Sequence, residues 1–132
     1  FEPYRFSIAP ERMHDAMAYA SLIFGESATM VSEGVMLGVP GIYVDNTGRL
    51  YTKELHDKYG LCFNYTESDA DQQAAIDKGV DLLQRNERSL PNYPNMIDDH
   101  IDVTAFLVWF IENFPQSERI MRQNPDYQYR FK

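Results

Sequence analysis

The sequence predicts an α/β fold, a Rossmann-like three-layer domain built on a short, mostly parallel sheet. Short apolar segments of strand type alternate along the chain with segments of helical periodicity. Two of the former, "SLIFG" and "GIYVD", are almost wholly apolar, which is typical of parallel strands that are buried on both faces. Alternating strands and helices form βαβ units, so we expect a parallel sheet with right-handed crossovers.

The first third of the chain contains two strand–helix pairs. "YRFSI", residues 4–8, alternates in polarity and is predicted to be a strand that ends before Pro10. "PERMHDAMAYA" follows as a short helix, because proline is favoured in a first turn. "SLIFG" is the next strand, and the helix after it should run from about Ser27 to Leu37, where Gly38 ends it.

The middle of the chain repeats this pattern. After "GIYVD", the segment "GRLYTKELHDKYG" is predicted to be helical and to close at Gly60, before a fourth strand, "LCFNY". Ser68 or Asp69 should cap a long helix that reaches about Arg85. The apolar stripe predicted for that helix comprises Ala74, Ile76, Val80, Leu82 and Leu83.

The C-terminal residues 94–132 are predicted to be helical and to complete a single domain over residues 1–132. A long helix should run from about Met96 to Phe114, with one further helical turn in the tail. Four aromatic residues recur at helical spacing in this segment, which is typical of a core face. They are Phe106, Trp109, Phe110 and Phe114.

Composition and charge exclude several function classes. The chain has 132 residues and a formal net charge of -8, which argues against a broad nucleic-acid-binding surface because phosphate backbones are bound by clustered Lys and Arg. No apolar run is long enough for a transmembrane segment. The single cysteine, Cys62, excludes an internal disulfide. It is predicted to be a buried, inert thiol, in keeping with a cytoplasmic setting.

The turn between "SLIFG" and the following helix is the first candidate site. It carries the small or hydroxyl-bearing residues Gly25, Ser27, Ala28 and Thr29. Ligands of α/β sheets bind where strands end and helices begin, and a helix N-terminus favours anions such as phosphate. The turn lacks a G-x-G-x-x-G pattern and the chain lacks a P-loop lysine motif, so a dehydrogenase or an NTPase is not indicated.

Glu33 lies four residues after Thr29 and therefore on the same helix face. An ionised carboxylate at that place suits the two hydroxyls of a ribose. The spacing fits a nucleotide laid along the helix end, with its diphosphate first and its ribose beside it. The alternative is structural, because Ser27 could simply cap the helix while Glu33 is a solvated surface residue.

The histidines and the acidic segment give weaker patterns. His14 follows the first predicted strand by one helical turn, so it could approach the site as a catalytic base, although a surface histidine is the alternative. "DDHID", residues 98–102, is interpreted as a solvated acidic helix face rather than a metal site. We therefore expect no metal, and the catalytic residues are not identified.

The stretch "ESATMVSEGVMLGVPGIYVD" resembles the nucleotide-sugar motif of GT-B fold enzymes. It is most similar to the donor-binding, C-terminal half of UDP-N-acetylglucosamine 2-epimerases and of related predicted glycosyltransferases from bacteria and archaea. The matching positions are Glu26, Ser27, Ala28, Thr29, Glu33, Leu37, Gly38 and Pro40. The match is specific over this stretch and extends loosely over most of the chain.

The resemblance implies roles for individual residues. Ser27, Ala28 and Thr29 would hold the diphosphate of a UDP-sugar, and Glu33 would take the ribose. Backbone groups from Phe6 to Ile8 would meet the uracil. Asp45 and Asn46, which follow the next strand, and His14 would lie near the donor sugar.

The resemblance also implies an incomplete domain. GT-B enzymes have two Rossmann-like domains with the active site between them, so an N-terminal domain carrying the catalytic base would be missing and this chain alone would be inactive. Because two strands of the family's sheet are absent, "YRFSI" would pair differently, be loose or pair with another chain, which permits a homo-oligomer through an exposed strand edge. No cofactor is implied.

Three functions are compatible with these observations. The chain is the UDP-sugar-binding portion of a glycosyltransferase-like protein, a fragment of an epimerase-like enzyme, or a non-catalytic interaction domain that kept the fold and lost the ligand. Ala28 and Thr29 stand where the epimerases have two glycines, and Ser32 stands where they have a second acidic residue. These departures count against epimerase chemistry more than against nucleotide binding.

Overall fold

The computed structural model describes residues 2–85 and 90–132. The chain forms two compact units, residues 1–93 and residues 94–132, and each is described by itself. The first unit contains the sheet. The second unit is helical in its described residues.

The sheet of the first unit has three strands, β1 (Ile23–Gly25), β2 (Gly41–Val44) and β3 (Cys62–Tyr65). Both pairings are parallel and the order is β1-β2-β3. The predicted α/β class with a parallel sheet is therefore confirmed. Each strand comes from one of the short apolar segments that the sequence indicated, and β2, at the centre, is buried along its whole length.

Helices cover both faces of the sheet, in a Rossmann-like layout. Ile23 packs on helix α2 (Ala28–Met36), whereas its neighbour Phe24 lies near Gly79 of helix α4 (Asp69–Arg85). Because consecutive strand residues point to opposite faces, α2 and α4 lie on opposite sides. The core between the sheet and α4 contains Ile42, Val44, Ala75 and Leu82.

Local signals define helix α2 as predicted. Ser27 is its N-cap and accepts a hydrogen bond from the Met30 N–H. At the other end Gly38 has a φ of 85°, a left-handed conformation that glycine adopts without strain, and its N–H donates to the Val35 carbonyl. Val31 and Val35 are buried, each with 1% of its surface exposed.

The next helix continues into a π turn before β3. Helix α3 (Leu50–Glu54) is followed by the π turn Leu55–Tyr59, and Gly60, with a φ of 63°, ends the segment. The predicted helix and its closing glycine are confirmed. The π geometry was not predicted, because sequence periodicity does not resolve one additional residue in a single turn.

Helix α4 has the predicted length but faces the sheet in a different phase. The buried residues are Ala75, Gly79 and Leu82, whereas Ile76, Val80 and Leu83 of the predicted stripe are about half exposed. A Cβ atom at Gly79 would lie 3.3 Å from Leu22. The helix therefore approaches the sheet through its small residues, and this close approach sets its rotation.

The prediction of a strand at "YRFSI" is wrong. Residues 2–4 form a short 3-10 turn and residues 5–9 have no regular structure. Tyr4 and Phe6 are 87% and 74% exposed. A strand needs hydrogen bonds to a neighbour, and no strand among the described residues pairs with this segment.

Helix α1 (Met13–Ala18) follows a 3-10 turn, Pro10–Arg12, and confirms the predicted short helix. Strand β1, which comes next, is not buried on both faces as predicted, because Phe24 is 48% exposed. The reason is its position, since β1 is an edge strand in the described sheet.

In the second unit, the predicted helix from Met96 to Phe114 is two helices, α5 (Tyr93–Asp99) and α6 (Val103–Glu112). Asp102 separates them as the N-cap of α6, with extended backbone and a carboxylate that accepts from the Ala105 N–H at 2.9 Å. An N-cap residue cannot continue a preceding helix. The tail is also more ordered than predicted, with α7 (Gln116–Gln123) and a 3-10 segment, Pro125–Phe131.

An aromatic cluster packs together in the second unit, and its rings are partly rather than fully buried. Trp109 stacks on Tyr127 with ring centroids 4.8 Å apart, and Phe106 meets Phe131 edge to face at 5.6 Å. Phe110 completes this cluster on α6. Phe114 does not take part in a described ring contact and is 63% exposed, because the helix ends before it.

Cys62 is the buried thiol that the sequence predicted. It lies in β3 with none of its surface exposed. Burial raises the thiol's pKa to about 12, since the thiolate would lose its hydration. The reactive thiolate form is therefore suppressed at neutral pH.

No helix in the described residues combines the length and the apolarity that crossing a membrane would need.

Candidate functional site

The carboxyl ends of the three strands meet at one edge of the sheet, and a cleft of about 610 Å³ lies there. The ends of β1 and β2, the residues just after β1 and β3, and part of α4 form its walls. A volume in this range is typical of small-molecule sites. The lining residues are Phe24, Gly25, Glu26, Val44, Glu67, Gln72 and Ile76.

The N-terminus of α2 is next to this cleft along the chain, because Glu26 lines the cleft and Ser27 is the N-cap of the helix. The first hydrogen bond of the helix joins the Val31 N–H to the Ser27 carbonyl at 3.0 Å, so the N–H groups of Ala28 and Thr29 precede the helical ladder. The Ser27 hydroxyl accepts from the Met30 N–H at 3.4 Å. Ala28 is buried and Thr29 is exposed. This end of the helix carries a partial positive charge beside the cleft.

The structure brings Glu33 together with His14. Nε2 of His14 lies 3.2 Å from Oε2 of Glu33, and this contact joins α1 to α2. The side chains are 65% and 43% exposed, so both remain open to solvent. One oxygen of the Glu33 carboxylate is engaged by the imidazole, while the other makes no hydrogen bond within the described residues.

Asp45 stabilises the turn that follows β2. Its carboxylate accepts from the N–H of Thr47 at 2.6 Å and from the Thr47 hydroxyl. These bonds, the hydroxyl first, lower the pKa of the Asp45 carboxyl. The pKa of the neighbouring Tyr43 is raised, mainly by burial and then by the Asp45 charge. Asp45 is therefore ionised, and much of its hydrogen-bonding capacity is used within the turn.

Asn46 joins the turns that follow β2 and β3. Its amide nitrogen donates to the Glu67 carboxylate at 2.7 Å, and its amide oxygen accepts from the Glu67 N–H at 3.0 Å. This reciprocal pair holds Glu67 at the cleft wall. Asn46 itself is not among the residues that line the cleft, and its contact with a donor sugar stays a prediction.

Glu26 and Glu67 are the charged side chains of the cleft lining, and the sequence interpretation gave neither a role in binding. Gln72, also missed, donates to the Glu67 carbonyl at 2.6 Å. The signal for Glu67 was available, because it stands just after a predicted strand, where ligands of parallel sheets bind. Carboxylates accept hydrogen bonds from sugar hydroxyls and repel phosphates.

Phe6 and Ile8 lie elsewhere in the first unit. They line a groove of about 370 Å³ together with residues of α1 and the turn after it, among them Asp15 and Tyr19. Neither residue belongs to the lining of the cleft at the strand ends. The proposed contact of their backbone with a uracil base stays a prediction.

In the part of the chain that the structure describes, no group of three or more His, Cys, Asp or Glu side chains is arranged to hold a metal ion.

No protein-family model, curated protein or solved structure matches the chain.

Proposed function

We propose that the chain binds a UDP-sugar and is the donor-binding part of a GT-B glycosyltransferase-like protein. The observation that supports this function best is the position of the capped α2 N-terminus. It lies at the carboxyl edge of a parallel sheet, and it follows along the chain from Gly25 and Glu26, which line a cleft of about 610 Å³. Glu33 is on the next turn of the same helix.

The positive helix end and the carboxylates of the candidate site would each bind a different part of a UDP-sugar. The diphosphate would lie at the N–H groups of Ala28 and Thr29, because a helix N-terminus binds anions without a basic side chain. Glu33 would accept from the ribose hydroxyls. The sugar would occupy the acidic cleft, where Glu26 and Glu67 can accept from its hydroxyls.

The first prediction is that UDP binds at the start of α2. Titration with UDP should move the NMR amide signals of Ser27 to Met30 in a saturable way, because phosphate oxygens would accept from the N–H groups of Ala28 and Thr29 and so change the surroundings of the adjoining amides. Uridine, which lacks the diphosphate, should move them far less. If a folded sample shows no change at these four signals, UDP does not bind as proposed and the alternative of a ligand-free interaction domain is favoured.

The second prediction concerns the ribose. Glu33→Ala should weaken UDP by roughly 10- to 150-fold, because hydrogen bonds to a charged acceptor contribute about 1.5–3 kcal/mol. Inorganic diphosphate, which has no ribose, should bind the variant as it binds the native chain. Calorimetric titration of both ligands measures the difference. Glu54→Ala is the matched control, since Glu54 is an exposed glutamate at the end of α3. Equal losses for the two ligands would exclude the ribose role.

A further inference from the structure

A second cavity, of about 470 Å³, lies in the first unit beside the turn after β2 and the helical segment of α3 and its π turn. Its lining includes three basic side chains, those of Arg49, Lys53 and His56. The whole chain has 12 Lys and Arg against 20 Asp and Glu. Two of these 12 line the cavity together with a histidine, and none of these three residues belongs to the UDP site proposed above.

Arg49 is held by its own turn. Its Nη1 atom donates to the Thr47 hydroxyl and to the Gly48 carbonyl, both at 2.9 Å. A guanidinium has five N–H donors in a planar fork, so the Nε and Nη2 groups remain for a ligand. The local bonds reduce the freedom that the side chain would lose on binding.

His56 presents a defined tautomer. Its Nδ1 atom accepts from the Asn64 N–H at 3.1 Å, so the proton of the neutral ring is on Nε2. The ring also packs edge to face on Phe63, with centroids 6.3 Å apart. Nε2–H is therefore an oriented donor. The π turn that carries His56 is a geometry often found at functional sites.

Lys53 forms an ion pair with Asp57. The ammonium donates to the Asp57 carboxylate, and this hydrogen bond is the main reason that the pKa of the Asp57 carboxyl is lowered. An ammonium has three donors, so the pairing leaves two of them. Asp57 is the acidic member of the cavity lining, and it lowers the positive charge that a ligand meets.

We propose that this cavity binds the phosphate group of a small phosphorylated molecule. The guanidinium of Arg49, the ammonium of Lys53 and the imidazole of His56 all line this one cavity, which suits a phosphate, with its higher charge and three acceptor oxygens, better than a carboxylate. The volume exceeds what one phosphate needs and falls in the range of small-molecule sites. The phosphate is thus expected on a larger molecule.

The test uses inorganic phosphate as the probe, with NMR amide signals as the readout. Phosphate should move the signals of Gly48, Arg49 and Asn64 in a saturable way, and acetate at equal concentration should move them much less. Arg49→Gln and Lys53→Gln should each weaken phosphate about tenfold, the effect of about 1.4 kcal/mol. Lys58→Gln is the matched control, because Lys58 belongs to the same π turn but not to the cavity lining, and it should leave the affinity within about twofold.

Asp57→Asn tests the proposal in the opposite direction, because this change should strengthen phosphate binding. Removing this carboxylate frees Lys53 and raises the local positive charge, so phosphate should bind more tightly by several fold. Signals that move linearly without saturation, equal losses in Arg49→Gln and Lys58→Gln, weaker binding in Asp57→Asn, or tighter binding of acetate would each overturn the proposal. The reporters differ from Ser27 to Met30, so failure here is distinguishable from failure of the UDP site.

Discussion

Replacing Ile42 by Ala is expected to lower the free energy of unfolding by about 2–5 kcal/mol, the range for large-to-small changes in a core. Ile42 lies in the central strand with none of its surface exposed. It packs with Val44, Ala75 and Leu82 between the sheet and α4. The change removes buried apolar surface and leaves a cavity that this layer cannot fill without moving the helix.

Urea unfolding monitored by circular dichroism measures this loss. Ile76→Ala is the matched control, because Ile76 belongs to α4 and is 51% exposed; it should cost about 1 kcal/mol or less. A loss for Ile42→Ala that is no larger than this control value would show that the sheet does not pack on α4 as described. Domains are commonly stable by only about 5–15 kcal/mol, so this variant should unfold at markedly lower urea concentration.

Gly41→Ala is expected to cost about 1–3 kcal/mol, the usual effect of overpacking. A Cβ atom added at Gly41 would lie 2.6 Å from Cγ1 of Val31 and 3.1 Å from Cγ2 of Val35. Helix α2 therefore sits directly on the start of β2, and even one methyl group must move either the helix or the strand. The thermal midpoint and the urea midpoint should both fall.

Gly25→Ala is the control for this change. No heavy atom lies within 4 Å of a Cβ built there, so the substitution should be close to neutral. The double variant Gly41→Ala with Val31→Ala should lose less stability than the two single changes add up to, because the second removes the atom that the first meets. Simple additivity would mean that the contact between α2 and β2 is not the cause.

Elements defined by local chemistry could be predicted from the sequence. Helix α2 is the best example, since Ser27 caps its start and Gly38 ends it through a conformation that few other residues adopt. The end of the π turn at Gly60 follows the same rule. One wrong prediction also concerns a local signal. Asp102 is the N-cap of α6, but a single continuous helix was predicted across it. A capping aspartate and an aspartate inside a helix are not distinguished by apolar periodicity alone.

Non-local contacts account for the other differences in the fold. The rotation of α4 depends on how closely Gly79 can approach Leu22 and Ile42, residues that lie far from it in sequence. The polarity pattern of "YRFSI" is that of a strand, yet strand formation needs a partner, and the described sheet supplies none for it.

In the candidate site, too, some features follow from local spacing and others from contacts between distant parts of the chain. Spacing along one helix was enough to place Glu33 one turn after Thr29, because the helical repeat is constant. The contact of Glu33 with His14 spans 19 positions and that of Asn46 with Glu67 spans 21. The basic cavity combines both kinds of information: Arg49, Lys53 and His56 are spaced i, i+4 and i+7 in one predicted helical segment and so share a face, whereas the contact of His56 with Asn64 of β3 depends on the fold.

The amino-acid order alone thus determined the strand–helix alternation, the start and end of α2, and the acidic charge that argues against nucleic-acid binding. These depend on interactions within a few residues or on composition, which do not change with the path of the chain. Only the tertiary structure decided which face of α4 is buried, that Asn46 holds Glu67 at the cleft wall, and that Asn64 of β3 joins the basic cavity. Those features depend on distances between residues brought together by packing, and such distances have no counterpart in a linear pattern.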